Sequence, residues 1–254
     1  MSPDGSSSLR EHRDWLVSLV PLAEPLTLVD LGCGTGEDLS ALAARCADPA
    51  TRFVGVDASP DAVDAARTAL SSDARIEVIC ERLDDRLSFD DGAIDVVFTN
   101  NLLECFGEAS ALVCEIARVL RPDGTVVAAH WDWDTQLFDG PDRALVRRLT
   151  QAFADWRQDW MEHADPWAGR RLHGMFEGSG LFRGTVHART LVESTFAPGC
   201  YGFERAHDLA ELVGHGTIDA RDYERFLSQQ GNLQAEGGYF YAVTEFVYVG
   251  QRAS

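Results

Sequence analysis

Two clusters in this chain have residue types and spacings that could do chemistry. In residues 29–37, V-D-L-G-C-G-T-G-E, Gly32, Gly34 and Gly36 alternate with Cys33 and Thr35 just behind the carboxylate of Asp30. Glycines without Cβ atoms let a backbone approach a ligand closely, and an acid at that place attracts a cation in a partly desolvated cleft. A second acid, Asp57, follows 21 residues after Gly36 in V-G-V-D-A, a position from which a carboxylate accepts hydrogen bonds from ribose hydroxyls. The other cluster is H-W-D-W: His130, Trp131, Asp132 and Trp133. It offers a base, an acid and two aromatic faces, suited to a flat or cationic molecule. His130 and Asp132 are the candidate catalytic pair, placed to take a proton from a nucleophile.

The flanking elements would have to hold these groups at one edge of a sheet. Residues 26–31 form an apolar run between Pro25 and Gly32, the length of a buried parallel strand. Residues 37–46 follow as a helix, 52–56 as a strand, 60–70 as a helix and 75–80 as a strand. A strand at 94–99, a helix at 110–120 and a strand at 124–130 after R-P-D-G continue the alternation. It predicts a doubly wound α/β domain with a mostly parallel sheet. Beyond His130 the W-D-W-D segment reads as a loop, followed by an amphipathic helix over 142–163 that carries Trp156 and Trp160. A helix over 169–178, a strand over 185–196, helices over 201–213 and 220–229 and a last strand over 239–250 bring the expected sheet to seven strands. The expected division is one domain over 1–254: an N-terminal helix or lid at 1–24, a cofactor-binding core at 25–135, inserted cap helices at 136–185 and C-terminal strands and helices at 186–254.

Composition narrows the partners. The 41 acidic residues outweigh 22 basic ones, all arginine, for a net charge of −19. A surface of that sign repels polyanions, which disfavours nucleic acid and anionic membranes as partners. Residues 1–8 carry no basic stretch followed by an apolar one, and no run approaches the roughly 18 apolar residues of a membrane span. A cytoplasmic protein is expected, with a homodimer open as an assembly. The six cysteines lack C-x-x-C spacing, so no metal site is expected.

Asp57 also suits a nicotinamide dinucleotide, but D-L-G-C-G-T-G departs from G-x-G-x-x-G, and Asp30 would sit badly beside a pyrophosphate. S-adenosylmethionine carries an ammonium and a sulfonium and no phosphate. At these residues the sequence resembles the class I S-adenosylmethionine-dependent methyltransferases, and within them the small-molecule group that includes ubiquinone and menaquinone methyltransferases. The match covers residues 26–130: V-D-L-G-C-G-T-G, F-V-G-V-D-A-S, F-D-D-G-A-I-D-V-V-F-T-N-N and E-I-A-R-V-L-R-P-D-G-T-V stand in the family's order. The resemblance implies a Rossmann-like methyltransferase fold with S-adenosylmethionine as cofactor. It implies that Gly32, Cys33, Gly34 and Gly36 line the cofactor, that Asp30 supports its methionine end, and that Asp57 with Ala58 holds the ribose. Arg82 and Leu83 would flank the adenine, and Asn100 and Leu102 would close the methionine side. The third-strand segment C-E-R-L-D-D departs from the family's G-D-A, which leaves Glu81, Arg82 and Asp84 as alternatives there.

Displacement at a sulfonium methyl needs chiefly an in-line nucleophile, so positioning and desolvation can supply much of the rate. The residues expected around the acceptor are His12, Trp131, Trp133, His173, Tyr201 and Tyr241. They point to a small, aromatic acceptor such as an indole or aromatic amine, methylated on nitrogen, oxygen or carbon in secondary metabolism. The alternative is a regulatory protein that binds S-adenosylmethionine without transferring its methyl group, since a fold alone does not fix chemistry.

Overall fold

The apolar run expected to start the sheet forms β1 (Thr27–Leu31), buried along nearly its whole length because it lies in the middle. Its neighbours are β2 (Arg52–Asp57) and β4 (Ile94–Asn100), both parallel to it, with Asp30 in register with Gly55 and Phe98. The computed structural model describes residues 7–22, 25–83, 86–107 and 109–253. With β3 (Ile76–Cys80), β5 (Leu120–Phe138), β6 (Phe182–Glu193) and β7 (Tyr241–Arg252) the sheet has seven strands in the order β3-β2-β1-β4-β5-β7-β6. Among the described strands only β7 runs antiparallel, pairing with β5 on one side and β6 on the other. Parallel strands need crossovers, which α2 (Glu37–Ala44), α3 (Pro60–Leu70) and α4 (Ala109–Val119) supply.

Both faces are covered. On one, α1 (Ser7–Ser18), α2 and α3 bury Leu16, Leu39 and Val63 against Phe53, Phe98 and Val127. On the other, α4 and α6 (Ala168–Gly178) bury Ile116, Leu172 and Phe176, and Phe176 stacks on Tyr248 at 4.8 Å. A third cluster joins α5 (Arg143–Ala154), α7 (Tyr201–Gly214) and α8 (Ala220–Glu236) to the far ends of β5 and β7 through Leu149, Leu209, Phe226 and Tyr241. Among the described residues no helix is long and apolar enough to cross a membrane.

Three sequence expectations change. The W-D-W-D segment is not a loop: β5 continues through it, with Asp132 opposite Thr244, and after an irregularity resumes with Leu137 opposite Ala242. The strand is extended by its partner β7, which the local sequence does not reveal. The helix expected over 142–163 ends at Ala154, where Gln151 donates to the Asp155 carboxylate at 2.9 Å and Trp156 turns back against Phe153. Asp155 and Trp156, both of lower helix propensity, stand at the stop. Trp160 is therefore in an irregular segment. The last helix outruns its expected end at 229 and reaches Glu236, with Gly237 as a left-handed cap.

Candidate functional site

The glycine turn leaves β1 in left-handed backbone, with φ of 76° at Gly32, 52° at Gly34 and 84° at Gly36. Any other residue would be strained there, and a Cβ on Gly36 would stand 2.6 Å from Leu70 of α3. The turn is pinned to β2 from two directions. Gly32 and Cys33 donate to the Val56 carbonyl at 2.8 and 3.1 Å, and Gly34 donates to the Asp57 carboxylate at 2.8 Å. The other Asp57 oxygen accepts from the Ser59 amide at 2.8 Å, just where Ser59 caps α3.

Below the turn, Asp30 is 2% exposed and one of its oxygens has no partner. Burial raises its pKa well above the usual carboxylate range, and the charges of Asp38 and Asp57 raise it further. Asp38, in the first turn of α2, accepts from Asn100 at 2.9 Å and from Arg13 at 3.0 Å. Asn100 keeps a buried side-chain oxygen unpartnered. A buried acid and an amide oxygen with open acceptor positions, at the carboxyl ends of β1 and β4, fit an ammonium group.

A cavity of about 970 Å³ opens beside the turn. Its wall includes Gly32, Asp57, Ala58, Arg82, Leu83 and Leu102, which were expected to hold a cofactor. Asp30, Cys33, Gly34, Gly36 and Asn100, also expected to hold it, are not among the residues that line this cavity. Cys33 is buried against Gly55, and its thiol is pushed up to about 12, chiefly by burial. Asp84 lies outside the described residues. The rest of the wall was not among the expected site residues: Ser59, Cys105, Phe106, Gly107, Ala111, Leu112, Trp160 and Glu162.

The expected acceptor residues gather elsewhere. His12 is on the buried side of α1, bonded to Glu245 of β7 at 2.8 Å and stacked on Trp131 at 4.7 Å. Tyr201 follows at 5.3 Å from Trp131, with Tyr241 behind it and donating to Gln136 at 3.0 Å. Burial raises the Glu245 carboxyl. His173 is on the exposed side of α6, apart from this group. Asp132 is fully buried and gripped by the Arg170 guanidinium through two nitrogens.

His130 is also fully buried. Its Nδ1 donates to the Trp131 carbonyl at 2.8 Å, and its Nε2 lies 3.8 Å from Glu104 Oε1. Burial pushes His130 down to about 4 and lifts Glu104 to about 7, the latter against the hydrogen bond donated by Trp133 at 3.1 Å. These groups act on stability in opposite senses. His130 stays neutral when folded, so its contribution is present above about pH 6.5 and lost as pH falls through 4. Folded Glu104 holds its proton longer than the unfolded chain, so its contribution is present below about 4.5 and lost as pH rises through 7. Glu104→Gln should therefore gain about 2 kcal/mol on wild type between pH values of about 5.5 and 8. Calorimetric melts at both pH values check this, and a gap independent of pH would contradict it.

Comparison with known proteins sharpens the reading. A family model described as a methyltransferase domain matches residues 29–128, the stretch from β1 to β5 that builds the cavity's inner wall. A trans-aconitate 2-methyltransferase from an Azoarcus species is 31% identical over 161 residues, 63% of this chain and 53% of that protein. Residues 29–128 thus form a methyltransferase domain of the class I S-adenosylmethionine-dependent kind. Similarity also extends beyond those domain residues: an uncharacterized 37.1 kDa protein in transposon TN4556 of Streptomyces fradiae is 29% identical over 97% of this chain and 68% of its own length. The chain spans about half the length of the trans-aconitate methyltransferases it matches. Among solved structures, the YcgJ protein of Bacillus subtilis superposes with a TM-score of 0.61 at 15% identity, over 96% of this chain and 99% of that one. The [4+2]-cyclase SpnF does so at 0.58 and 16%, over 96% and 81%. At such identities these likenesses show the shared class I fold. The family's cofactor is S-adenosylmethionine, and Asp57, Asp30 and the glycine turn are the residues here that fit its ribose, its ammonium and its close backbone approach.

Proposed function

We propose that the protein transfers the methyl group of S-adenosylmethionine to a nitrogen, oxygen or nucleophilic carbon of a small, neutral or cationic acceptor of aromatic character, as in secondary metabolism. The observation that carries this reading is the wall beyond the cofactor residues. It is apolar and aromatic, with Cys105, Phe106, Leu112 and Trp160, and its added charge is the acid Glu162. Arg82 is the one arginine among the wall residues, and it stands 4.0 Å from Glu162. A tricarboxylate such as trans-aconitate calls for several cations, best as bidentate arginine pairs. Arg170 and Arg171 are instead engaged with Asp132 and Asp165. A flat ring, by contrast, finds stacking partners and a field favourable to positive charge.

Calorimetric titration with S-adenosylhomocysteine and with NAD comes first. Mass spectrometry of reactions with tryptamine, p-cresol, indole or trans-aconitate follows. Binding of S-adenosylhomocysteine but not NAD is expected, with a methyl added to at least one aromatic compound and none to trans-aconitate. Methylation of trans-aconitate alone would overturn the acceptor reading. Failure to bind S-adenosylhomocysteine would overturn the whole, and binding without any turnover would favour a regulatory protein.

A further inference from the structure

Resting on the methyl-transfer reading, we infer that Glu104, with His130 behind it, is the group that takes the acceptor's proton. Glu104 belongs to the 3-10 turn Leu103–Cys105 after β4, and its neighbours Leu102, Cys105 and Phe106 all line the cavity. Its side chain is only 12% exposed. Among the described residues no arginine pairs with it, and its one hydrogen bond there comes from the Trp133 indole. A buried carboxyl without a cation is unusual unless it can hold a proton.

His130 supplies the second half of the geometry. Because its Nδ1–H is committed to the Trp131 carbonyl, neutral His130 presents a lone pair at Nε2, which is buried and unpartnered. That lone pair faces Glu104 Oε1 across 3.8 Å. A proton arriving on Glu104 would therefore have a free acceptor 3.8 Å away. The surrounding charges do not compete for this role. Asp132 is neutralised by Arg170, Asp165 holds Arg171, and Asp134 accepts from Trp167. Glu162 stands by Arg82, and His163 contributes its backbone N–H to the Cys105 carbonyl.

In the step itself the acceptor heteroatom bonds to the methyl carbon while the carbon–sulfur bond breaks, its electron pair going to sulfur. The heteroatom's proton passes to the Glu104 carboxylate, leaving a methylated acceptor, a neutral thioether and a protonated Glu104. Release of that proton to water resets the site. Asp132, the acid of the H-W-D-W cluster, is not available for this because its oxygens are occupied.

The test uses the full chain. With whichever aromatic acceptor is methylated, kcat/KM for wild type should rise with pH on a limb near neutrality. Glu104→Gln should lower it by about 100-fold or more and flatten the limb, a loss typical of a removed general base. The affinity for S-adenosylhomocysteine should stay within about twofold, and Glu104→Asp should restore a limb. Product formation with an unchanged limb in Glu104→Gln would overturn the inference while leaving the methyltransferase reading intact. Independently of any acceptor, protein labelled with 13C at glutamate carboxyls and bound to S-adenosylhomocysteine should show one resonance titrating near neutrality that is absent from Glu104→Gln. If every glutamate titrates in the ordinary carboxylate range, the inference fails. Should the glutamine variant not fold, the aspartate variant's limb and the wild-type titration decide.

Discussion

Asp57→Ala should weaken S-adenosylhomocysteine binding by about 100-fold or more while leaving the protein folded. The carboxylate has two tasks in one place. Its oxygens fix the Gly34 amide of the glycine turn and the Ser59 amide that opens α3, both at 2.8 Å. It also stands in the cavity wall where ribose hydroxyls would donate to it. A hydrogen bond to a charged group contributes about 1.5–3 kcal/mol, so losing two from the ligand alone costs about 3 kcal/mol or more, roughly two decades in Kd. Loosening of the turn adds to that. Asp57→Asn should fall between, because one amide oxygen still accepts whereas the amide nitrogen faces a donor. Calorimetric titration measures the loss, and circular dichroism confirms the fold. An alanine variant that binds within about threefold of wild type would show that the ribose is not held here.

The parts of this site legible in the sequence share one property: their physics is local. A parallel strand buried on both faces reads as an unbroken apolar run, so β1, β2 and β4 stand out, and Gly32, Gly34, Gly36 and Asp57 can be placed at their ends. What was hidden depends on partners distant in the chain. His12 meets Glu245 across 233 positions, and β5 continues through W-D-W-D because β7 lies beside it. Trp160 and Glu162 reach the cavity because the helix stops at Ala154, a stop masked by an amphipathic pattern that runs on past it. Glu104 had no motif at all. In N-L-L-E-C-F its only signal is an acid amid apolar neighbours, and its chemistry comes from burial that the fold creates. H-W-D-W illustrates the reverse: residues that look like one cluster part to opposite faces of the sheet. Trp131 turns toward His12, whereas Asp132 turns toward Arg170.

That alternation underlies the second large effect, which is on stability. Arg170→Ala should destabilise the protein by about 3 kcal/mol or more, because it strands a carboxylate that is wholly out of water. Asp132 is 0% exposed, on the sheet face where α6 packs, and the Arg170 guanidinium grips it through Nε and Nη2. The arginine side chain is 40% exposed and also lies over the Trp167 ring at 5.0 Å, so part of its own charge stays solvated. The cost therefore comes mainly from the acid left behind. For a domain of this size it corresponds to a fall in Tm of roughly 6–12 °C. The double variant Asp132→Asn with Arg170→Ala removes the charge along with its partner and should recover most of that fall, since an unpaired charge is more costly than an absent pair. Melting curves of wild type, both single variants and the double variant form the cycle. A single variant melting within about 1 °C of wild type would mean that the pair behaves as an ordinary surface bridge. Full recovery in the double variant would fix Asp132 as a structural charge whose position in the fold is set by its arginine.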